Sequence, residues 1–223
     1  MPFTRFAIYY LPPEGALAAF GAAWLGWDCV EARTVPSLDV PGLDGATKTP
    51  RKYGFHGTLK PPFRLAEGKD LTGLQDAVAQ MAANCTPAQS DGLALTALGR
   101  FLALTPVGDM SGIARVAATC VESLDAFRAP ASEAELARRR NARLSDRQEE
   151  LLERWGYPYV MDQFHFHMTL TGRLLVDRID HWTKTALAHL PPLPAPFVMD
   201  EVALVGERED GRFEVIQRHP LAG

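Results

Sequence analysis

The chain has 223 residues, of which 47% are hydrophobic and 22% are charged. This is enough apolar sequence to bury a core, either as one domain or as two small lobes that share an interface. The net charge of −4 gives no basic surface, so binding of a long nucleic acid is not expected. A short oligonucleotide or a small phosphate ester stays compatible with this charge, because a single pocket can still be basic.

The cysteines and the apolar segments bear on the cellular compartment. Cys29, Cys85 and Cys120 are odd in number and form no CxxC pair, which argues against a disulfide framework and against a structural zinc site. The first apolar run, Phe6–Leu11, ends at Pro12-Pro13 and is too short for a signal peptide or a membrane span. We therefore expect a soluble, cytoplasmic protein with no membrane partner.

Apolar periodicity and turn residues predict the elements of the first part of the chain. In chain order these are a strand at about 3–11, a helix over 13–27, mostly loop over 28–52, and a strand over 54–60 that stops at Pro61-Pro62. A helix then runs to about residue 84, and either Asp70 or Thr72 caps it, with Gln75 completing a capping box behind Thr72. One or two strands over 93–105 and a helix over 112–128 follow.

Residues 129–163 interrupt this order of strands and helices and are interpreted as a helical insertion. Ser132 with Glu135, and Ser145 with Gln148, have capping-box spacing, which predicts two helices. The run Arg138–Arg140 is typical of a solvated helix face, or alternatively of a lid that recognises an anionic substrate.

The second part repeats the early pattern. A strand is predicted over 164–174, a helix from the Asp177 cap, and a hairpin over 198–219 that turns at Asp210-Gly211. The frame Phe-His-x-Thr-Leu occurs at 55–59 and again at 166–170, with the histidines 167 − 56 = 111 residues apart. We predict a single domain with a first lobe at about 1–128 and a second at about 164–223, which may exchange strands.

Each motif strand has an apolar face and a face of donors and cations. Alternation places the residues of the polar faces together: His56, Thr58 and Lys60 on the first strand, and His165, His167, Thr169, Thr171 and Arg173 on the second. An imidazole and a hydroxyl at positions i and i+2 lie about 6.6 Å apart and can both reach one phosphoryl group.

Two such strands, related by a pseudo-twofold axis, place a histidine on each side of the phosphorus. One histidine can then deprotonate the nucleophile while the other protonates the leaving oxygen. The pattern therefore predicts His56 and His167 as catalytic residues, and Thr58 and Thr169 as phosphate ligands. His181-Trp182-Thr183 also matches H-x-T but falls in a helical pattern, so we interpret it as chance.

His56-Gly57-Thr58-Leu59 and His167-Met168-Thr169-Leu170 resemble the paired H-x-(T/S)-hydrophobic motifs of the 2H phosphoesterase superfamily. The framing stretches 53–62 and 164–172 are similar to a branch found in bacterial phosphonate-utilisation operons. The resemblance implies an α+β, bilobal, duplicated fold with two antiparallel sheets, flanked by helices, around a central cleft. It also implies hydrolysis of a cyclic phosphodiester or a related small phosphate ester, with no metal and no other cofactor. The insertion departs from the minimal superfamily pattern.

Two alternatives stay open. A metallohydrolase could use His165, His167 and His56 together with Asp162, since HxH on a strand presents two imidazoles to one ion. A non-catalytic module could bind a phosphate ester in the same fold. The candidate substrate contacts are Lys60, His165 and Arg173. For Lys60 and Arg173 the alternative is a position at the rim of the cleft without substrate contact.

Overall fold

The computed structural model describes residues 3–223. Its strands are β1 (Phe6–Tyr10), β2 (Trp27–Asp28), β3 (Arg33–Thr34), β4 (Gly57–Phe63), β5 (Ala88–Ser90), β6 (Gly92–Leu98), β7 (Phe101–Val107), β8 (Met168–Thr169), β9 (Phe197–Met199), β10 (Glu201–Glu207) and β11 (Phe213–Pro220). Its helices are α1 (Ala16–Leu25), α2 (Leu43–Thr47), α3 (Leu71–Ala83), α4 (Ser111–Ser123), α5 (Glu133–Arg140), α6 (Asp146–Trp155) and α7 (Ile179–His189).

Seven strands form the main sheet, in the order β11-β10-β1-β4-β8-β7-β6, and every neighbouring pair is antiparallel. The predicted α+β class with antiparallel sheets is confirmed. The two halves of the sheet meet where Gly57 of β4 pairs with Met168 of β8. The two predicted sheets are thus joined edge to edge, and the two motifs lie at the junction.

The two faces of the sheet are covered differently. On one face, side chains of α1, α3, α4 and α7 pack with the sheet in a large core that includes Ile8, Leu104 and Met168. On the other face, a smaller cluster forms around Tyr9, Trp27 and the buried ring of Phe213. This smaller cluster covers the β1, β10 and β11 half, and the motif side chains lie on the same face.

Several element boundaries differ from the sequence prediction. β4 continues through Pro61-Pro62 to Phe63, because beyond Thr58 it pairs with β1 alone, and an edge strand tolerates proline. The strand predicted over 164–174 is reduced to Met168–Thr169. The helix predicted to reach residue 128 ends at Ser123, and the segment predicted as loop contains α2 with two short strands.

Helix caps and turns follow the sequence prediction more closely. Both capping boxes of the insertion are confirmed, at Ser132 and at Ser145. Asp70 caps α3 by accepting from the Gly73 amide, so the alternative cap at Thr72 is wrong. The hairpin of β10 and β11 is also confirmed, and Gly211 in its turn has a φ of 79°, which favours glycine.

The insertion docks on the body of the protein through α6. Leu151 of α6 and Val160 pack on Val121 of α4, whereas α5 buries none of its residues. Among residues 3–223, no helix combines the length and apolarity that crossing a bilayer requires.

Candidate active site

The junction of β4 and β8 turns both motifs toward one face of the sheet. Gly57 and Met168 are direct partners, so they point to the same side. That side is the large core, where Met168 and Phe166 are buried. A β-carbon on Gly57 would lie 2.3 Å from the ring of Phe166, so glycine is required for this contact. The flanking histidines and threonines therefore project to the opposite face.

The same register gives the four motif side chains a pseudo-twofold arrangement. With Gly57 opposite Met168, antiparallel pairing sets His56 across from Thr169, and Thr58 across from His167. Residues i and i+2 are about 6.6 Å apart and neighbouring strands about 4.8 Å. The Cα atoms of the two histidines are then about 8 Å apart on the diagonal, a span that can hold one phosphoryl group between their rings.

Backbone and side-chain contacts fix the His56 ring. Its Nδ1 lies 2.9 Å from the Gly54 carbonyl oxygen, which can only accept, so Nδ1 carries the proton and donates. Nε2 of the neutral ring then accepts from the Thr58 hydroxyl at 3.0 Å. The ring stacks on Tyr9, with centroids 3.7 Å apart. Burial lowers the pKa of His56 to about 4, and the nearby charge of His167 adds to this effect, although the Gly54 hydrogen bond opposes it.

His167 is held in the same way but in a more open place. Its Nδ1 donates to the carbonyl oxygen of His165 at 2.8 Å, as His56 does to the residue two positions before it. Its ring lies 5.7 Å from that of Phe101 on β7. Nε2 is therefore the ring nitrogen of each histidine that can take part in proton transfer, and on His56 it accepts from the Thr58 hydroxyl in this structure.

The residues that follow His167 in the second motif lie in different surroundings. Thr169 is half-buried, and its neighbours Phe101 and Arg173 line the same open pocket of about 540 Å³. Thr171 is buried, and its hydroxyl accepts from the Leu102 amide at 3.0 Å. Thr171 is therefore a structural residue, and the exposed Arg173 lies at the edge of the site.

Lys60 does not share the polar face of the first motif strand, so that prediction is wrong. Ile8 pairs with Lys60 while Tyr9 pairs with Thr58, and a register shift separates the two pairs. Because Ile8 and Tyr9 point to opposite faces, the bulge turns Lys60 away from Thr58. Its Nζ is buried and donates to the Val121 carbonyl at 3.0 Å, and burial lowers the pKa of Lys60 to about 8.

The donor set of the metallohydrolase alternative is not assembled. Asp162, at the end of the insertion, forms an ion pair with Arg147 at 2.6 Å. Across residues 3–223 no three histidine, cysteine or carboxylate side chains are grouped as ligands of one ion. The His165 side chain is exposed, and its backbone carbonyl is the acceptor that orients His167.

Tyr9 and Gly54 support the site, although neither belongs to a motif. Strand alternation implies that one of Tyr9 and Tyr10 faces the cleft, but it does not say which. Tyr9 lies under His56, whereas Tyr10 packs on Phe166 in the large core. Gly54 has a φ of 73°, a left-handed conformation that aims its carbonyl at His56. His181 lies exposed on α7, as predicted for the chance match.

A family model described as "Protein of unknown function (DUF1045)" matches residues 58–214, well over half of the chain. The chain belongs to this family. Two curated relatives carry the name ribose 1,5-bisphosphate phosphokinase PhnN. The protein of Janthinobacterium sp. (strain Marseille) is 38% identical over 99% of this chain and 51% of its own length. The protein of Laribacter hongkongensis (strain HLHK9) is 35% identical over 83% of this chain and 44% of its own length. The chain thus spans about half the length of these relatives.

Among solved structures, the chain matches E. coli LigT complexed with 3'-AMP. The two are 14% identical, all of both chains is covered, and the TM-score is 0.47. The two H-x-T motifs of this chain lie one on each half of the shared antiparallel sheet.

Proposed function

We propose that the chain is a metal-independent phosphoesterase that hydrolyses a small cyclic phosphodiester by paired histidine catalysis. The observation that carries the proposal is the matched pair of imidazoles at the β4–β8 junction. Each donates from Nδ1 to the carbonyl two residues earlier, so Nε2 is the ring nitrogen that would face the substrate. On His56 the substrate would take the place of the Thr58 hydroxyl, which would then turn to a phosphate oxygen. Each also has a threonine of its own motif two residues on, placed to hold phosphate oxygens as charge develops.

The different surroundings of the two histidines support different roles. A His56 pKa near 4 keeps this ring neutral at pH 7, so it can accept the proton of the attacking water. His167 lies in the more open part of the cleft and would protonate the leaving oxygen. Water adds to phosphorus, one ester P–O bond breaks, and the product is a phosphomonoester with a free hydroxyl.

The relatives' name suggests the kind of substrate. Hydrolysis of a ribose 1,2-cyclic phosphate that also carries a 5-phosphate gives ribose 1,5-bisphosphate when the bond to the 2-oxygen breaks. The sequence contains no GxxxxGK(S/T) stretch, the phosphate-binding loop of P-loop enzymes. We therefore propose a sugar phosphate as the kind of substrate or product, and we do not propose a phosphokinase activity for this chain.

The test is hydrolysis of ribose and nucleoside cyclic phosphates, followed by ³¹P NMR. His56→Ala and His167→Ala should each lower kcat by about 10² or more, the scale of a lost general acid or base. His181→Ala is the matched control, because His181 is exposed on α7, and it should leave kcat unchanged.

Substrates with an activated leaving group separate the two roles. The nitrophenolate group of a nitrophenyl phosphodiester leaves without protonation. This substrate should therefore restore much of the rate that His167→Ala loses and little of the rate that His56→Ala loses. Binding of cyclic phosphates without any turnover would instead favour the non-catalytic module.

A further inference from the structure

The open pocket beside Thr169 adjoins the histidine site. Its volume is about 540 Å³, and sites for small molecules measure roughly 300–1,000 Å³. Thr169 lines this pocket together with Arg173, and with Arg100 and Phe101 at the turn between β6 and β7. We call this space the β7 pocket. It has the size to hold the part of a substrate that extends beyond the reacting phosphoryl group.

The two sides of the cleft differ in how much space they leave. Beside His56, the rings of Tyr9 and Phe213 belong to a buried cluster on this face of the sheet. Beside His167, the ring of Phe101 is half-buried and lies 5.7 Å from the imidazole. The non-reacting part of a substrate therefore has room on the His167 side, over the β7 pocket.

The backbone bends after Thr169 and keeps the end of the second motif close to this pocket. The amides of Leu170 and Thr171 both donate to the Leu102 carbonyl, at 2.8 and 3.2 Å. Two residues here share one partner residue, as in a β-bulge, which bends the strand. The segment after Thr169 is therefore not an extended strand, and Arg173 lines the same pocket as Thr169.

The two arginines of the β7 pocket are not neutralised by ion pairs. Among residues 3–223, neither Arg100 nor Arg173 forms an ion pair with a carboxylate. Of the described residues that line the pocket, none is acidic. Nε of Arg100 donates to the Leu174 carbonyl at 2.8 Å, which fixes this side chain. Two cations without an acidic neighbour favour an anionic ligand.

We propose that the β7 pocket binds a second anionic group of the substrate, a terminal phosphomonoester, through Arg173 and Arg100. Guanidinium groups suit this task because they donate two parallel hydrogen bonds to phosphate oxygens. In ribose 1,2-cyclic phosphate 5-phosphate, a single furanose ring and its C5 methylene separate the two phosphoryl groups, and one pocket holds both Thr169 and Arg173. The sugar then lies beside His167, which protonates its departing oxygen. This inference rests on the proposed function, since the reacting ester occupies the histidine site.

The experiment compares ribose 1,2-cyclic phosphate with its 5-phosphate as substrates. Arg173→Gln should raise KM for the 5-phosphate about tenfold more than KM for the substrate without it, the scale of a lost charged hydrogen bond. Arg173→Lys keeps the charge and should recover part of this selectivity. Arg178→Gln is the matched control, because this exposed arginine is not part of the pocket, and it should keep both KM values of the wild type.

The outcomes separate this inference from the proposed function. If Arg173→Gln changes KM equally for both substrates, the role of the β7 pocket is overturned, while turnover would still support the proposed function. If no cyclic phosphate is hydrolysed, calorimetry with ribose 5-phosphate decides. Binding weakened about tenfold by Arg173→Gln, but not by Arg178→Gln, supports the pocket. Absent binding, or binding that Arg173→Gln leaves unchanged, contradicts it.

Discussion

Replacing His56 by glutamine should make the folded protein less sensitive to acid. The His56 ring has a pKa of about 4, against 6.5 for a free imidazole, because of desolvation. Between these values the unfolded chain binds a proton at this position and the folded chain does not. The free energy of unfolding therefore falls as pH decreases from 6.5 toward 4, and His56 adds no further loss below 4.

The size of this effect follows from the shift. A difference of 2.5 pKa units at about 1.36 kcal/mol per unit gives a limit near 3.4 kcal/mol, of which about 3 kcal/mol is reached at pH 4. His56 is half-buried, so some solvent screening will reduce that figure. Glutamine keeps an amide that can bond to the Gly54 carbonyl but cannot titrate, so the variant should lose this part of the pH dependence.

Urea unfolding at pH 7 and pH 4 measures the effect. Over this range the wild type should lose 2–3 kcal/mol more than His56→Gln, by order of magnitude. His181→Gln, at an exposed position on α7, should lose as much as the wild type. If the wild type and His56→Gln lose the same free energy, then His56 titrates normally, and the reasoning about its burial on Tyr9 is wrong.

Three further predictions concern the metal, the junction and Lys60. Activity should survive EDTA, and loss with EDTA that zinc or manganese reverses would reject histidine-only catalysis. Gly57→Ala should destabilise the fold by about 1–3 kcal/mol, the usual cost of overpacking, because of the 2.3 Å contact with Phe166. Adding Phe166→Leu should recover part of that loss in thermal unfolding, and no recovery would place the strain elsewhere. Lys60→Met should leave KM for cyclic phosphates within about twofold. It should lower the free energy of unfolding by about 1 kcal/mol, the scale of one hydrogen bond, since Nζ bonds to the Val121 carbonyl. A large rise in KM would show that Lys60 contacts the substrate.

The sequence was informative where local pattern and tertiary structure agree. The alternation at His56 and Thr58 predicted a shared face correctly, since Nε2 of His56 lies 3.0 Å from the Thr58 hydroxyl and the register from β1 to β4 is regular at Gly57 and Thr58. Two residues later the same alternation failed at Lys60, because a bulge is set by pairing with β1 and leaves no signal in the strand itself. The capping boxes at Ser132 and Ser145 were predictable because they are local. The ion pair of Arg64 with Glu135 was not, since it joins residues 71 positions apart.

The arginines of the insertion make specific contacts, which a helix face that is only solvated would not make. Arg140, one of the three consecutive arginines, pairs with Glu149 on α6 and so joins the two inserted helices. The Arg139 guanidinium lies instead 4.2 Å from the ring centroid of Tyr157. Neighbouring arginines on one helix thus make different contacts, one between the two inserted helices and one with the segment that follows them. Arg64, which follows β4, pairs with Glu135 of the insertion, whereas His56 and Thr58 lie at the opposite end of this strand, so the contacts that anchor the insertion are separate from the motif residues.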